Sequence, residues 1–363
     1  MTTSKSTLTW RTLSKTEKGI SLVEIMIGLA VGMIAVTVML NLFATTAQRN
    51  NVTTSTSDAQ INGQIALVSI ERDARNAGLG LSTMACDNGI TIYNVNYSPT
   101  TFTLSGMPIE ITGNGSDQTI TITTSTDSLG AFTTTINKWN LASAEIDVAN
   151  TVGFEIVYDN SSSTNRPLAL IKQSGKCAVI QLTQVQPSAK KVQHNPGNQA
   201  PFNPQQAKSF FEGLGYSDSA GGNVSLFGSI ETYQYRLTGD TLEAVNLTPA
   251  GGGVSTTDQL VSGVVALRAQ YGIDRNNDGV IDSFIAHNDA SFATNPLKSD
   301  EVLAIRVALV VRASHRDGSY TADDVSWWEG GSSNTYTVPT GQKNFRYRVF
   351  ESVIPLRNPI WNR

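Results

Sequence analysis

Histidine and cysteine are scarce in this chain, three and two among 363 residues. His194, His287 and His315 stand far apart with no ligand spacing, and each reads as a loop or surface residue. Cys86 and Cys177 form no CxxC and join no Cys/His cluster, so zinc-ribbon and thioredoxin-type chemistry find no support. Nucleophile and phosphate motifs are missing too. GYSDSAG (215–221) lacks the G-x-S-x-G spacing, and AGGG (250–253) lacks the order of a phosphate loop. No residue set points to an enzyme. Charge is sparse as well: Asp, Glu, Lys and Arg make up 15%. With abundant Ser, Thr, Asn and Gly, that argues for a β-rich, turn-rich extracytoplasmic protein over a helical cytosolic one.

The formal charge is −4 overall. The first 19 residues carry +3, from Lys5, Arg11, Lys15 and Lys18 against Glu17, which leaves −7 on the remainder. A body of that sign has no general attraction for nucleic acid or anionic lipid. If it is exported, its two cysteines pair in one disulfide closing a long loop. The alternative is two separate buried thiols.

Where charge is lacking, an apolar run is present. Ile20 to Phe43 spans 24 residues, about 36 Å as a helix, against a hydrocarbon core of about 30 Å. The basic flank before it keeps residues 1–19 cytoplasmic and exports the rest. A cleaved secretory signal fits poorly: its apolar region is shorter, and Ala44-Thr-Thr-Ala47 has the wrong spacing for its cleavage site. From Ile20 to Leu40 the only ionisable side chain is Glu24. A carboxylate in hydrocarbon costs roughly a few kcal/mol. Either it snorkels to the interface or it has a partner.

The order Gly19-Ile20-Ser-Leu-Val-Glu24 resembles the type IV prepilin signal. In that family a basic leader ends in Gly, and Glu stands fifth in the mature chain. The resemblance implies cleavage after Gly19 by a prepilin peptidase and methylation of the Ile20 amine. Ile in place of the commoner Phe or Met is a departure, and the leader is long. Cleavage would create an ammonium four residues from Glu24, and opposite charges in low dielectric favour each other strongly. In a filament of staggered helices, the Glu of one subunit can neutralise the N-terminus of another.

Residues 44–77 contain no proline. Ile61, Ile65 and Val68 recur at helical spacing, as do Leu67, Ile70 and Ala74. Gly78 and Gly80 supply a stop. The pattern predicts one helix over residues 20–77, roughly 87 Å long, with Gly63 as a locally weak point. INGQIALVSIERDARNAGLG (61–80) resembles the PilW group of minor pilins, as do VLAIRVALVVRAS (302–314) and YRVFESVIPLRN (347–358). The resemblance implies an α+β, type IV pilin-like fold: a cytoplasmic leader (1–19), a long helix (20–77, transmembrane about 20–43) and a β-rich head (78–363).

In the head, alternating apolar runs predict strands at 118–126, 153–158, 177–185, 231–237, 263–272, 302–312 and 345–356. In the 302–312 run, Ile305, Val307, Leu309 and Val311 share one face, to be covered by the long helix. Arg306 and Arg312 share the other, expected to be partly wet. The polar connection 186–223 holds Pro187, Pro196, Pro201 and Pro204. DRNNDGVID (274–282) has the spacing of an EF-hand-like calcium loop. Its ligands would be Asp274, Asn276, Asp278 and Asp282, with the Val280 carbonyl. Ile281 would pack inward. Ile285 replaces the bidentate closing residue, so Ca²⁺ would bind weakly or with help, from Asp289 if the chain folds back. A polar hairpin explains the same residues. Arg346, Arg348 and Arg357 suggest a basic patch or a solvated strand face. Trp327-Trp328 suggests a contact site or partial packing.

The expected function is a minor pilin at or near the tip of a type IV pilus, helping to start assembly. Its implied partners are other minor pilins, the major pilin and a calcium-binding tip adhesin. It would reside in the bacterial inner membrane before joining the extracellular pilus. The alternatives are a type II secretion pseudopilin of the J kind and a pilus-displayed adhesin or ligand-binding module.

Overall fold

The computed structural model describes residues 19–78, 86, 89–95, 100–104, 107–115, 117–125, 132–157, 166–197, 199–219, 221–228, 230–247, 256–329, 331 and 334–357. The expected leader (bar Gly19), Gly80 and the AGGG stretch lie outside the described residues.

The chain divides into two compact units, residues 1–53 and 54–363. In the first, helix α1 (Leu22–Arg75) begins where Glu24 N and Ile25 N donate to the Ser21 carbonyl at 3.0 and 3.2 Å. Every residue from Ile20 to Phe43 is exposed. Thr37 and Thr45 turn their hydroxyls onto the Met33 and Asn41 carbonyls, each at 2.8 Å, so polar groups in the apolar run are satisfied internally. The helix is long and apolar enough to cross a membrane.

The second unit holds the rest of α1 and a β-rich body. In chain order come β1 (Ile90–Tyr93), β2 (Thr101–Leu104), β3 (Ile109–Thr112), β4 (Thr119–Ser125), β5 (Thr133–Asn140) and β6 (Glu145–Val148). Then follow α2 (Phe154–Val157), β7 (Leu168–Gln173), β8 (Lys176–Gln181), β9 (Gln184–Gln186), β10 (Lys191–Gln193), α3 (Ala207–Gly213) and β11 (Asn223–Gly228). The last part has β12 (Ile230–Thr238), β13 (Thr241–Asn246), β14 (Thr256–Ser262), β15 (Val264–Ile273) and β16 (Ser283–Ile285). It ends with β17 (Val302–Arg312), β18 (Val325–Ser326), β19 (Thr335–Tyr336) and β20 (Tyr347–Pro355).

Among the described residues the strands form a nine-stranded sheet (β2-β1-β8-β7-β11-β5-β6-β10-β9), a five-stranded sheet (β14-β13-β12-β4-β3), a four-stranded sheet (β16-β15-β17-β20) and the pair β18-β19. The five- and four-stranded sheets share one core with α1: Ile70 and Ala74 meet Ile120, Tyr235, Ile305, Val307 and Leu309. Polar side chains pin this layer. Tyr235 Oη donates to Asp73 at 2.6 Å, tying β12 to α1. Tyr271 Oη accepts the Ile111 N–H at 2.7 Å, tying β15 to β3. The nine-stranded sheet has a separate core around Trp139, Phe154, Phe211 and Tyr216. A disulfide joins Cys86 to Cys177 of β8 across 91 residues. It anchors the chain entering β1, whose Ile90 lies beside Cys177 in parallel register.

Of the two expected apolar rows on α1, Leu67, Ile70 and Ala74 face the core and the other does not. The buried stripe of α1 is Ser55, Ala59, Gly63, Ala66, Ile70 and Ala74. Ile61, Ile65 and Val68 are 51%, 47% and 61% exposed. The reason is distance. A Cβ on Gly63 would lie 2.1 Å from the Phe350 ring of β20, so only small residues let the helix lie this close. Gly63 is therefore a contact point, whatever it costs in propensity.

Other expectations also need correction. In the 153–158 run, Phe154–Val157 form α2, not a strand. The Thr151 carbonyl accepts Phe154 N and Glu155 N at 3.0 and 3.3 Å, its hydroxyl bonds the Glu155 carboxylate, and the turn buries Phe154. The 177–185 run breaks between β8 and β9, where Leu182 N donates to Pro167 O and Thr183 N to Gln193 O. The 186–223 connection carries β10 and α3 and buries Asn203 and Phe211. The supposed wet face of β17 is covered: Ala308 and Val310 pack with Ala266 and Trp327, and Arg306 is 8% exposed.

Gly63→Ala tests the docking. An exposed helical Gly→Ala change stabilises by about 1 kcal/mol, whereas overpacking costs about 1–3 kcal/mol. The variant should melt lower than the parent, and Phe350→Ala should relieve much of the added penalty in the double variant.

Candidate functional site

The residues singled out by the sequence fall at separate places. Ile20 and Glu24 lie at the start of α1, exposed. Glu24 sits in the first turn, three residues after Ser21. That spacing matches a helix-start capping box, and a carboxylate there is favoured by the helix dipole. This local role is compatible with a second, intermolecular one.

The loop 274–282 is folded on its own oxygens. Asp274 is 1% exposed. Its carboxylate accepts Asn277 N and Gly279 N, both at 2.7 Å. Asp278 accepts Val280 N at 2.8 Å, and Asp282 accepts Arg275 N at 2.8 Å. The Asn276 amide reaches Asp278 and Asp282 at 3.2 and 3.3 Å. Asn277 and Gly279 take φ of 62° and 86° to close the turn. Ile281 is half-buried and reaches toward Gly272. Asp289 does not fold back onto the loop; it caps a 3₁₀ turn by accepting Ser291 N at 2.9 Å. Among the described residues no group of three or more His, Cys, Asp or Glu side chains is placed to hold a metal ion. The geometry is that of a hydrogen-bonded turn joining β15 to β16.

The tryptophans and arginines mostly close on each other. Trp327 is 3% exposed and Trp328 half-buried, so the pair forms no exposed contact site. Arg306 lies over Trp328 and Phe284, 4.3 and 4.7 Å from the ring centroids, and donates to Gln270 and Glu329 at 2.8 and 2.7 Å. Aromatic faces, an amide and a carboxylate thus stabilise a cation beneath a loop. Arg346 pairs with Asp317 at 2.7 Å. Bonds from Ser319 and from Arg346 hold the Asp317 carboxyl down at about 2. Arg346 is therefore neutralised, while Arg348 and Arg357 remain exposed.

His194 corrects the expectation of a surface residue: it is fully buried. Trp139 Nε1 donates to its Nε2 at 3.2 Å, and Phe211 packs edge-on against it. Burial lowers its pKa from 6.5 to about 4. His315 is exposed beside Ser314. His287 lies in a feature that no motif announced, a cavity of about 480 Å³ lined also by Gln118, Arg268, Trp327 and Tyr336. Its parts come from five stretches of chain, so no local spacing could reveal it.

Comparison with known proteins gives one family. Residues 232–358 match the family described as Type IV Pilus-assembly protein W, PilW. No curated protein matches. A solved type IV-like pilin from Thermus thermophilus is similar at 12% identity, over 57% of this chain and 93% of that one, with a TM-score of 0.24. A score that low does not equate the two folds. The PilW match is confined to the C-terminal region. The match begins inside β12 and ends just after β20, and it spans the strands β15, β17 and β20.

His194 gives a pH prediction. Its folded pKa lies below the unfolded value, so the unfolded chain binds more protons between pH 6.5 and 4. The stability it supports is present above pH 6.5 and lost as pH falls toward 4, up to roughly 3 kcal/mol. A His194→Gln variant melted in parallel should show a shallower decline over that window.

Proposed function

We propose that the chain is a minor pilin of a type IV pilus, cut after Gly19, methylated on Ile20 and inserted at or near the tip, where it helps to start assembly and display an adhesin. One observation carries this reading. The PilW-matched region supplies β12, β15, β17 and β20, and these strands share one core with the C-terminal part of α1. The same helix begins with an exposed apolar run holding the single carboxylate of Glu24.

In this reading the helix leaves the bilayer for a bundle of like helices. Glu24 there faces an α-amino group rather than lipid, and the desolvated pair holds the register between subunits. The exposed Ile61, Ile65 and Val68 suit the same bundle. Partners follow from the class: other minor pilins, the major pilin, the tip adhesin, and the prepilin peptidase during maturation. A J-kind pseudopilin would use the same helix chemistry in a type II secretion pseudopilus.

Glu24→Ala, in a strain lacking redundant minor pilins, should leave leader cleavage intact and reduce surface pili several-fold. Normal piliation would remove Glu24 from the mechanism. Unchanged pili with impaired protein secretion would shift the reading to the pseudopilus.

We further propose that the loop 274–282 takes Ca²⁺ through Asp274, Asn276, Asp278, Asp282 and the Val280 carbonyl. Hard oxygens on alternate residues support it. The Asn276 amide would have to turn its oxygen inward. Titration of Ca²⁺ into the full chain in detergent should release heat and raise its melting temperature. Asp278→Asn should weaken the response, and Asp274→Ala with Asp278→Ala should abolish it. A parent protein with neither heat nor thermal shift would refute calcium binding.

A further inference from the structure

We infer that the cavity between the β3–β4 turn, β15, the segment after β16 and β19 binds a carboxylate-bearing saccharide unit. Its volume, about 480 Å³, falls in the range of small-ligand sites. The cavity does not depend on the assembly role of α1, and its lining chemistry is specific.

The cationic element is Arg268, which donates to the Gly115 carbonyl and lines the cavity. No Asp or Glu side chain lines it among the described residues. Asp117 lies near enough for its charge to be felt at Tyr336. His287 adds no second positive charge, because burial and the neighbouring Arg268 lower its pKa. Its tautomer can be assigned. Gln118 Oε1 accepts the Ala269 N–H at 2.6 Å, so the Gln118 amide nitrogen, 3.3 Å from His287 Nδ1, is the donor. Nδ1 accepts and Nε2 carries the proton. A site with one guanidinium suits a carboxylate. A phosphate selects clustered arginines or converging backbone N–H groups.

The rest of the lining suits hydroxyl groups. Asn114 and Asn288 each offer a donor and an acceptor, as a sugar hydroxyl does, and Thr337 adds another such group. Tyr336, half-buried, supplies aromatic surface for the apolar face of a pyranose ring, above the buried Trp327. Trp327 Nε1–H is buried with no hydrogen-bond partner among the described residues, an unusual state for a buried indole.

The test is calorimetric titration of the full chain in detergent with glucuronate, glucose, acetate and inorganic phosphate. Glucuronate should bind saturably and at least about tenfold more tightly than glucose or acetate. Arg268→Gln, which retains a donor for Gly115, should reduce that preference over glucose to near unity. Asn288→Ala, at an exposed position, should weaken glucuronate and glucose alike without changing the melting temperature. Equal binding of glucuronate and acetate, or tighter binding of phosphate, would overturn the saccharide assignment in favour of a simple anion site. Absence of glucuronate binding by the folded parent would overturn the site itself.

Discussion

The close approach of α1 to the four-stranded sheet is the constraint on which the second unit depends. Phe350 of β20 occupies the space a side chain at position 63 would take. That contact sets how near the helix lies, and so which of its residues are buried. Ala59, Ala66 and Ala74 follow as small residues on the same face, with Ile70 as the one large plug. Dispersion between closely spaced surfaces, more than bulk of buried hydrocarbon, holds such a seam. Ile61, Ile65 and Val68 are turned outward in consequence and become available to other helices.

This arrangement explains where sequence reading succeeded and where it failed. Helix α1 was legible because 54 residues share one unbroken helical pattern. Strands β12, β15, β17 and β20 were legible because each is long and rich in β-branched or aromatic residues. The buried helix face was legible only at Leu67, Ile70 and Ala74; Ser55, Ala59, Gly63 and Ala66 on the same face carry no strong hydrophobic signal. GFEIVY is strand-like in composition, but Phe154–Val157 turn onto the Thr151 carbonyl and bury Phe154, which composition does not show. The covered side of β17 was not legible because its cover, the β18–β19 excursion, has two-residue strands with no sequence period. Neither the partners of Arg306 nor the lining of the cavity has a sequence period.

The PilW match leaves one sheet entirely outside it. Strands of the nine-stranded sheet come from residues 90–104 and 133–228, and the match begins at residue 232. The matched part supplies most strands of the helix-docking core, while α1, β3 and β4 of that core lie outside the match. The nine-stranded sheet, with its own aromatic core and the Cys86–Cys177 bridge, lies wholly outside it.

Glu24 has a specific meaning only if a cation is made nearby. The direct measurement is the N-terminus of the mature protein recovered from membranes. The account predicts a chain beginning at N-methyl-Ile20, with the first 19 residues removed. A chain that retains its leader, or that is cut beyond Phe43, would contradict it, because no ammonium would then stand within reach of Glu24.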